Sequence, residues 1–336
     1  MSDPRYLGRV IRRLLFLLAL LAGCGAPVPT GAPSLPPTPT PDLSQSCSGT
    51  GVSGETPSYP GWPPDAEFEL IPIPVSSELA VGANRFLLSL IDTQNEQIAS
   101  ADRPVELRFY DLAVDPQQPA ITVDATYMPT TDELPGLYRV DEVRFPCWGL
   151  WGLETITTEP DGSRRSGRMI FQVDPASSTP AIGAPAPATD TPTGQTPTEI
   201  AAISTDTAPD ADFYATSVDT ALAEHEPFLV IFSTPAFCRT RTCGPALDIV
   251  KQVAPDYKAD VTFIHVEPYL LEQVGDNLQP VLSDQNQPIP VAAVTDWGLP
   301  AEPYIFVVDS NGRVTAKLEG VAAADELVAA LREVAD

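Results

Sequence analysis

Phe228-Leu229-Val230-Ile231-Phe232-Ser233-Thr234-Pro235-Ala236-Phe237-Cys238-Arg239-Thr240-Arg241-Thr242-Cys243-Gly244-Pro245 is the stretch that settles the architecture of the last third of this 336-residue chain. Its first five residues are apolar with no polar alternate, as in a strand covered on both faces. Pro245 suits the first turn of a helix with Gly244 as its cap, so a helix is predicted over 245–257. Around this unit the pattern goes on in strands and helices: a short helix over 218–224, a strand over 261–266, and mixed helical turns to about Trp297. Strands over 304–309 and 314–318 follow, joined by Ser310-Asn311-Gly312, and a helix over 322–334 closes the pattern. Alternation of this kind implies an α/β layer fold for residues 206–336.

Two cysteines lie between the first strand and its helix. Thiol–disulfide exchange needs a thiolate to attack and a second sulfur to resolve the mixed disulfide. Cys243 stands at the helix front, where the dipole favours a negative sulfur, and Arg239 and Arg241 add positive potential in the loop. Both effects push a thiol pKa from about 8.5 toward roughly 3.5–7.5. Five residues along a helix would set the two sulfurs about 140° apart, so a bond between Cys238 and Cys243 requires a non-helical segment. A purely structural bond across so small a loop would stabilise by only about 2 kcal/mol in the chain-entropy model. That small gain, beside two arginines, favours a redox role.

With those residues in view, the segment 206–336 resembles the thioredoxin-like superfamily. The resemblance rests on the strand running into Cys238, on Cys243-Gly244-Pro245 opening a helix, and on Leu299-Pro300-Ala301-Glu302-Pro303-Tyr304 before a strand–turn–strand. It implies a cis proline at Pro303 that presents backbone to a substrate beside the cysteines. The chain departs from the family in three places. Four residues rather than two separate the cysteines; matching Cys243-Gly244-Pro245 to the family's Cys-Gly-Pro-Cys puts Ala246 at the second cysteine; and Ile231 occupies the position of the family's buried acid. Matching the strand instead makes Cys238 the nucleophile. The attacking residue is left open between Cys238, the more exposed loop position, and Cys243.

Upstream, residues 176–205 form a Pro/Thr/Ala tract that reads as a linker. Residues 63–175 carry seven strand candidates, over 67–73, 85–91, 105–110, 121–127, 138–145, 150–157 and 168–173, with turn signals such as Asp161-Gly162 between them. That pattern predicts an immunoglobulin-like β-sandwich. It contains no histidine and reads as a spacer or a partner-binding module. Residues 24–62 are rich in Pro, Thr, Ser and Gly, as in a disordered tether. Cys47 within it either pairs with Cys147 or leaves Cys147 buried as a small hydrophobe.

Residues 1–23 read as a signal peptide: Arg5 to Arg13 precede the apolar run Leu14–Ala22, which is too short to span a bilayer comfortably. Leu21-Ala22-Gly23-Cys24 resembles the lipobox of bacterial lipoproteins, which implies acylation of Cys24, attachment to a membrane, and a place on the extracytoplasmic face of the cell envelope. Acyl chains bind at about 0.8 kcal/mol per CH₂, and an exported chain meets conditions in which disulfides form. The net charge of −26 argues against nucleic acid as a partner.

The whole predicts a multidomain, membrane-anchored thiol–disulfide oxidoreductase acting on the thiols or disulfides of envelope proteins, with no cofactor. The alternative is a non-enzymatic partner-binding or copper-delivery factor. A cysteine pair plus His265 resembles copper-delivery proteins of the same fold, whose ligands would correspond to Cys238, Cys243 and His265. A histidine within Thr262-Phe263-Ile264-His265-Val266 also reads as a core or edge residue of a strand.

Overall fold

The computed structural model describes residues 46–47, 59–63, 68–130, 136–159, 161–238, 241–275 and 277–335. The expected signal peptide, Cys24, most of the expected tether and Arg239 lie outside the described residues. Among the described residues, no helix is long and apolar enough to cross a membrane.

The first lobe is all β: β1 (Leu70–Pro74), β2 (Gly82–Asp92), β3 (Val105–Asp111), β4 (Ile121–Met128), β5 (Leu137–Phe145), β6 (Gly149–Thr158) and β7 (Arg164–Val173). All neighbours are antiparallel, in the order β1-β2-β5-β4-β3-β6-β7. The two halves of this sheet share one strand. Ile121–Ala125 of β4 pair with β3, and Thr126–Met128 pair with β5. The sheet curls until its ends meet: the N–H of Glu69 donates to the carbonyl of Ser166 at 3.2 Å. Gly167 permits that approach, because a Cβ there would sit 2.1 Å from the Leu70 oxygen. Alternate residues of β3, Val105, Leu107 and Phe109, point into the core. There Phe109 meets Phe86 and Phe145 edge-on at 5.3 and 5.6 Å.

Among the described residues of the expected tether, two are buried in this lobe. Cys47 is buried and bonded to Cys147, with Cα atoms 5.1 Å apart. Trp62 is fully buried against Tyr110, with the Arg168 guanidinium 4.8 Å above its ring. Gly152 makes room for it, since a Cβ there would lie 2.4 Å from the indole. The tether reading therefore fails at these two points: proline and glycine around Trp62 conceal how much area one indole buries.

The second lobe holds a four-stranded sheet, β13-β12-β8-β9, made of β8 (Phe228–Phe232), β9 (Thr262–Val266), β12 (Tyr304–Val308) and β13 (Val314–Glu319). β8 is parallel to β9 and antiparallel to β12. Every residue of β8 is buried, and alternate residues feed two cores. Leu229 and Ile231 pack with α3 (Cys243–Val253) and α5 (Ala324–Ala335). Phe228, Val230 and Phe232 pack with α2 (Val218–Ala223), α4 (Ala292–Asp296) and Trp297. Of the mixed helical turns expected before Trp297, α4 is present, and ahead of it the chain forms the hairpin of β10 (Leu271–Val274) and β11 (Asn277–Pro280).

The Pro/Thr/Ala tract lies along this lobe. Gly183 donates to Val314 at 2.7 Å and Ala186 to Gly312 at 2.9 Å. It also contains a helix, α1 (Pro197–Ile203), closed at its start by a capping box of Thr196 and Glu199. The two lobes meet in one compact unit. Leu87, Met128, Leu137 and Val321 form a small shared core. Beside it Glu326 takes Arg85 at 2.6 Å and Arg139 at 3.2 Å, all three side chains being under one-tenth exposed.

Candidate functional site

Beyond Phe232 the chain leaves the sheet through Ser233 and Thr234, both fully buried, and turns at Pro235–Phe237. It then reaches Cys238, which is half-buried. Arg241 adopts a left-handed backbone with φ +62°, reversing the chain. Helix α3 begins at Cys243, two residues before the predicted start, and its first bond runs from Ala246 N–H to the carbonyl of Thr242 at 2.9 Å. Cys238 thus lies outside the helix and Cys243 forms its first residue. Their Cα atoms are 5.9 Å apart and their sulfurs are bonded.

The two sulfurs occupy different surroundings. Cys243 is wholly buried. Cys238 Sγ accepts the backbone N–H of Cys243 at 3.2 Å, so it sits on the positive end of α3. The Thr242 side chain makes no capping bond to this helix. On reduction the arrangement favours a thiolate at half-buried Cys238, which the helix amide reaches, over one at Cys243, which is wholly buried. Arg241 is exposed beside the pair.

Pro303 follows the cis Glu302–Pro303 bond and is buried. Its neighbour Tyr304 pairs with Phe232, which brings Pro303 and the start of the cysteine turn to one end of the sheet.

His265 is a core residue. It pairs in register with Ile231; its Nε2 donates to the carbonyl of Ser233 at 2.9 Å, and its Nδ1 accepts the hydroxyl of Tyr214 at 2.8 Å. Burial drives its pKa down to about 4, keeping the ring neutral. Both ring nitrogens are thereby occupied. The copper set Cys238, Cys243 and His265 is not assembled: among the described residues, only Cys47, Asp111 and Cys147 bring three such ligand atoms within 4.8 Å of one another. Two of those are the disulfide of the first lobe.

Three polar residues under the turn carry no marker in the sequence reading. Tyr214 joins Ser204 and His265, both at 2.8 Å. Thr205 binds Glu267 through both its N–H and its hydroxyl. Glu267, immediately after β9, is buried, and burial raises its pKa. The available signal was an acid directly continuing the all-buried run Phe263–Val266.

No family model matches the chain, and no curated protein matches it. Among solved structures, the soluble domain of PmoD from Methylocystis sp. ATCC 49242 (Rockwell) aligns at 22% identity over 29% of this chain and 75% of that one, with a TM-score of 0.17. A likeness of that size carries no argument about this chain.

Proposed function

We propose that the protein is a thiol–disulfide oxidoreductase held on the cell envelope by a lipid at Cys24, working through Cys238 and Cys243 on envelope proteins. The observation that carries this reading is the asymmetric pair at the front of α3, one cysteine half-buried with its sulfur amide-bound, the other wholly buried. In the reducing direction, the Cys238 thiolate attacks a substrate disulfide, forms a mixed disulfide and releases one substrate thiolate. Cys243 then attacks Cys238 Sγ, closing the intramolecular bond and releasing the second substrate sulfur. Two electrons pass to the substrate, and the two protons of the dithiol end on its thiols. Oxidation runs the same steps backwards.

A thioredoxin-like assignment for the second lobe is supported by the parallel β8–β9 pair, the antiparallel β12–β13 hairpin and the cis proline before β12. An immunoglobulin-like assignment for the first is supported by its grouping of β1-β2-β5 and β3-β6-β7 about the shared β4. We assign that lobe a spacer or partner-binding role. The lipobox-like Leu21–Cys24 supports the anchor.

Insulin reduction by the dithiothreitol-charged full-length protein tests the activity. Catalysis above the uncatalysed rate, lost in Cys238→Ser, is the expected result. No acceleration by the wild type would reject the reading.

A further inference from the structure

Beneath the cysteine turn lies a carboxyl group that the exchange chemistry above does not use. Glu267 is 6% exposed. Its Oε1 accepts the N–H of Thr205 at 2.7 Å and the Thr205 hydroxyl at 2.5 Å. The same hydroxyl oxygen accepts the N–H of Ala236 at 3.2 Å, two residues before Cys238. The turn itself is closed by the Thr234 carbonyl, which accepts the N–H of Phe237 at 3.3 Å. Glu267 therefore reaches the turn that delivers Cys238 through the Thr205 hydroxyl. Its Oε2 is buried without a well-formed hydrogen bond.

A glutamine would hold Thr205 through the same oxygen, and a buried atom lacking a good bond costs stability. What the acid adds is a proton that it can lose. Among the described residues, the charged and titratable groups around it are these. Asp206 adjoins Thr205 and pairs with Lys251 of α3 at 2.9 Å; Tyr214 packs from the preceding 3-10 turn; and the neutral His265 stands two residues back on β9. Burial and the negative charge of Asp206 both favour the protonated acid.

We propose that Glu267 is a positioning residue for the Cys238–Cys243 pair, setting through Thr205 where the turn holds the Cys238 sulfur. The inference rests on the oxidoreductase reading. Loss of the Glu267 proton turns the two Thr205 bonds into charge-assisted ones, drawing Thr205 in, and places a negative charge under the turn, where it opposes a thiolate. The reactivity of reduced Cys238 then carries the titration of Glu267 as well as its own.

The test is the rate of iodoacetamide alkylation at Cys238, followed by mass spectrometry in the full-length, dithiothreitol-reduced protein, from about pH 5 to about pH 10, a span covering carboxyl and thiol titration. The wild type is expected to show two inflections, and Glu267→Gln, which keeps the shape and loses the proton, only one. Thr205→Val, which removes the hydroxyl bridge, is expected to shift the profile while Thr205→Ser retains it; this pair serves should the Gln variant fail to fold. Wild-type profiles in Glu267→Gln, or in Thr205→Val, would overturn the inference while leaving the oxidoreductase reading intact. A Cys238–Cys243 bond that dithiothreitol does not open would remove both.

Discussion

The backbone amide of Cys243 points at the sulfur of Cys238 from 3.2 Å, so the first N–H of α3 serves the more accessible of the two bonded sulfurs. On the proposed exchange chemistry that contact favours Cys238 as the attacking residue, where the spacing of the cysteines leaves the choice open. A thiolate at Cys238 gains a hydrogen bond and a helix end, whereas one at Cys243 is cut off from water. In the reduced protein Cys238 is expected to alkylate first. Cys243→Ser is expected to accumulate a mixed disulfide with substrate on Cys238, and Cys238→Ser none on Cys243. Trapping followed by peptide mapping checks this, and equal trapping at both positions would reject the assigned order.

The Cys47–Cys147 bond has a different task. It closes a loop of 100 residues in sequence separation, worth about 4.7 kcal/mol in the chain-entropy model. Replacing both cysteines by serine is expected to lower the denaturant midpoint markedly and to leave exchange at Cys238 unchanged under native conditions. Asp111 Oδ2 lies 3.5 Å from Cys147 Sγ, a carboxylate where a thiolate would form, which discourages opening of this bond.

Glu326 sits between Arg85 and Arg139 in the seam of the lobes, and Arg85 also donates to the carbonyls of Glu319 and Val321 at 2.7 and 2.9 Å. Removing the acid alone takes the carboxylate from buried Arg85, whereas Arg139 keeps Asp141 at 2.6 Å and Asp325 at 3.1 Å. Glu326→Ala is expected to destabilise by about 3–5 kcal/mol in chemical denaturation. A loss below about 1 kcal/mol, the size of a surface pair, would show that the seam opens to solvent.

His265 gives the fold a pH dependence of definite sign. Its pKa falls from 6.5 when unfolded to about 4 when folded. Between those values the unfolded chain binds the additional proton, so stability is full above about pH 6.5 and drains as pH falls toward 4. At about 1.4 kcal/mol per unit, a shift of this size amounts to roughly 3 kcal/mol. His265→Gln is expected to flatten this part of the stability–pH curve, and a curve of unchanged slope would contradict the assignment.

Much of this was legible in the residues. Phe228–Phe232 reads as a doubly covered strand because it has no polar alternate, and it is one. The seven strands of the first lobe lie where apolar alternation put them. Short-range signals gave way where long-range packing dominated. Trp62 and Cys47 are drawn from a Pro/Gly-rich stretch by an indole pocket and a sulfur at position 147. The start of α3 moved to Cys243 because helix ends tolerate shifts of one or two residues. The hairpin at Leu271–Pro280 is missed because Glu272 and Gln273 interrupt any alternation. α1 was readable, since Thr196 and Glu199 form a capping box three residues apart, but the prolines around it point to a linker. Glu267 and Thr205 meet across 62 positions, a distance no local pattern spans.

The most direct measurement is the reduction potential of the Cys238–Cys243 pair, read from the oxidised fraction of the full-length protein across glutathione buffers. An exchange catalyst is expected to equilibrate reversibly, at a potential well above about −300 mV. A pair that stays bonded in every buffer would make it a structural staple and remove the catalytic account.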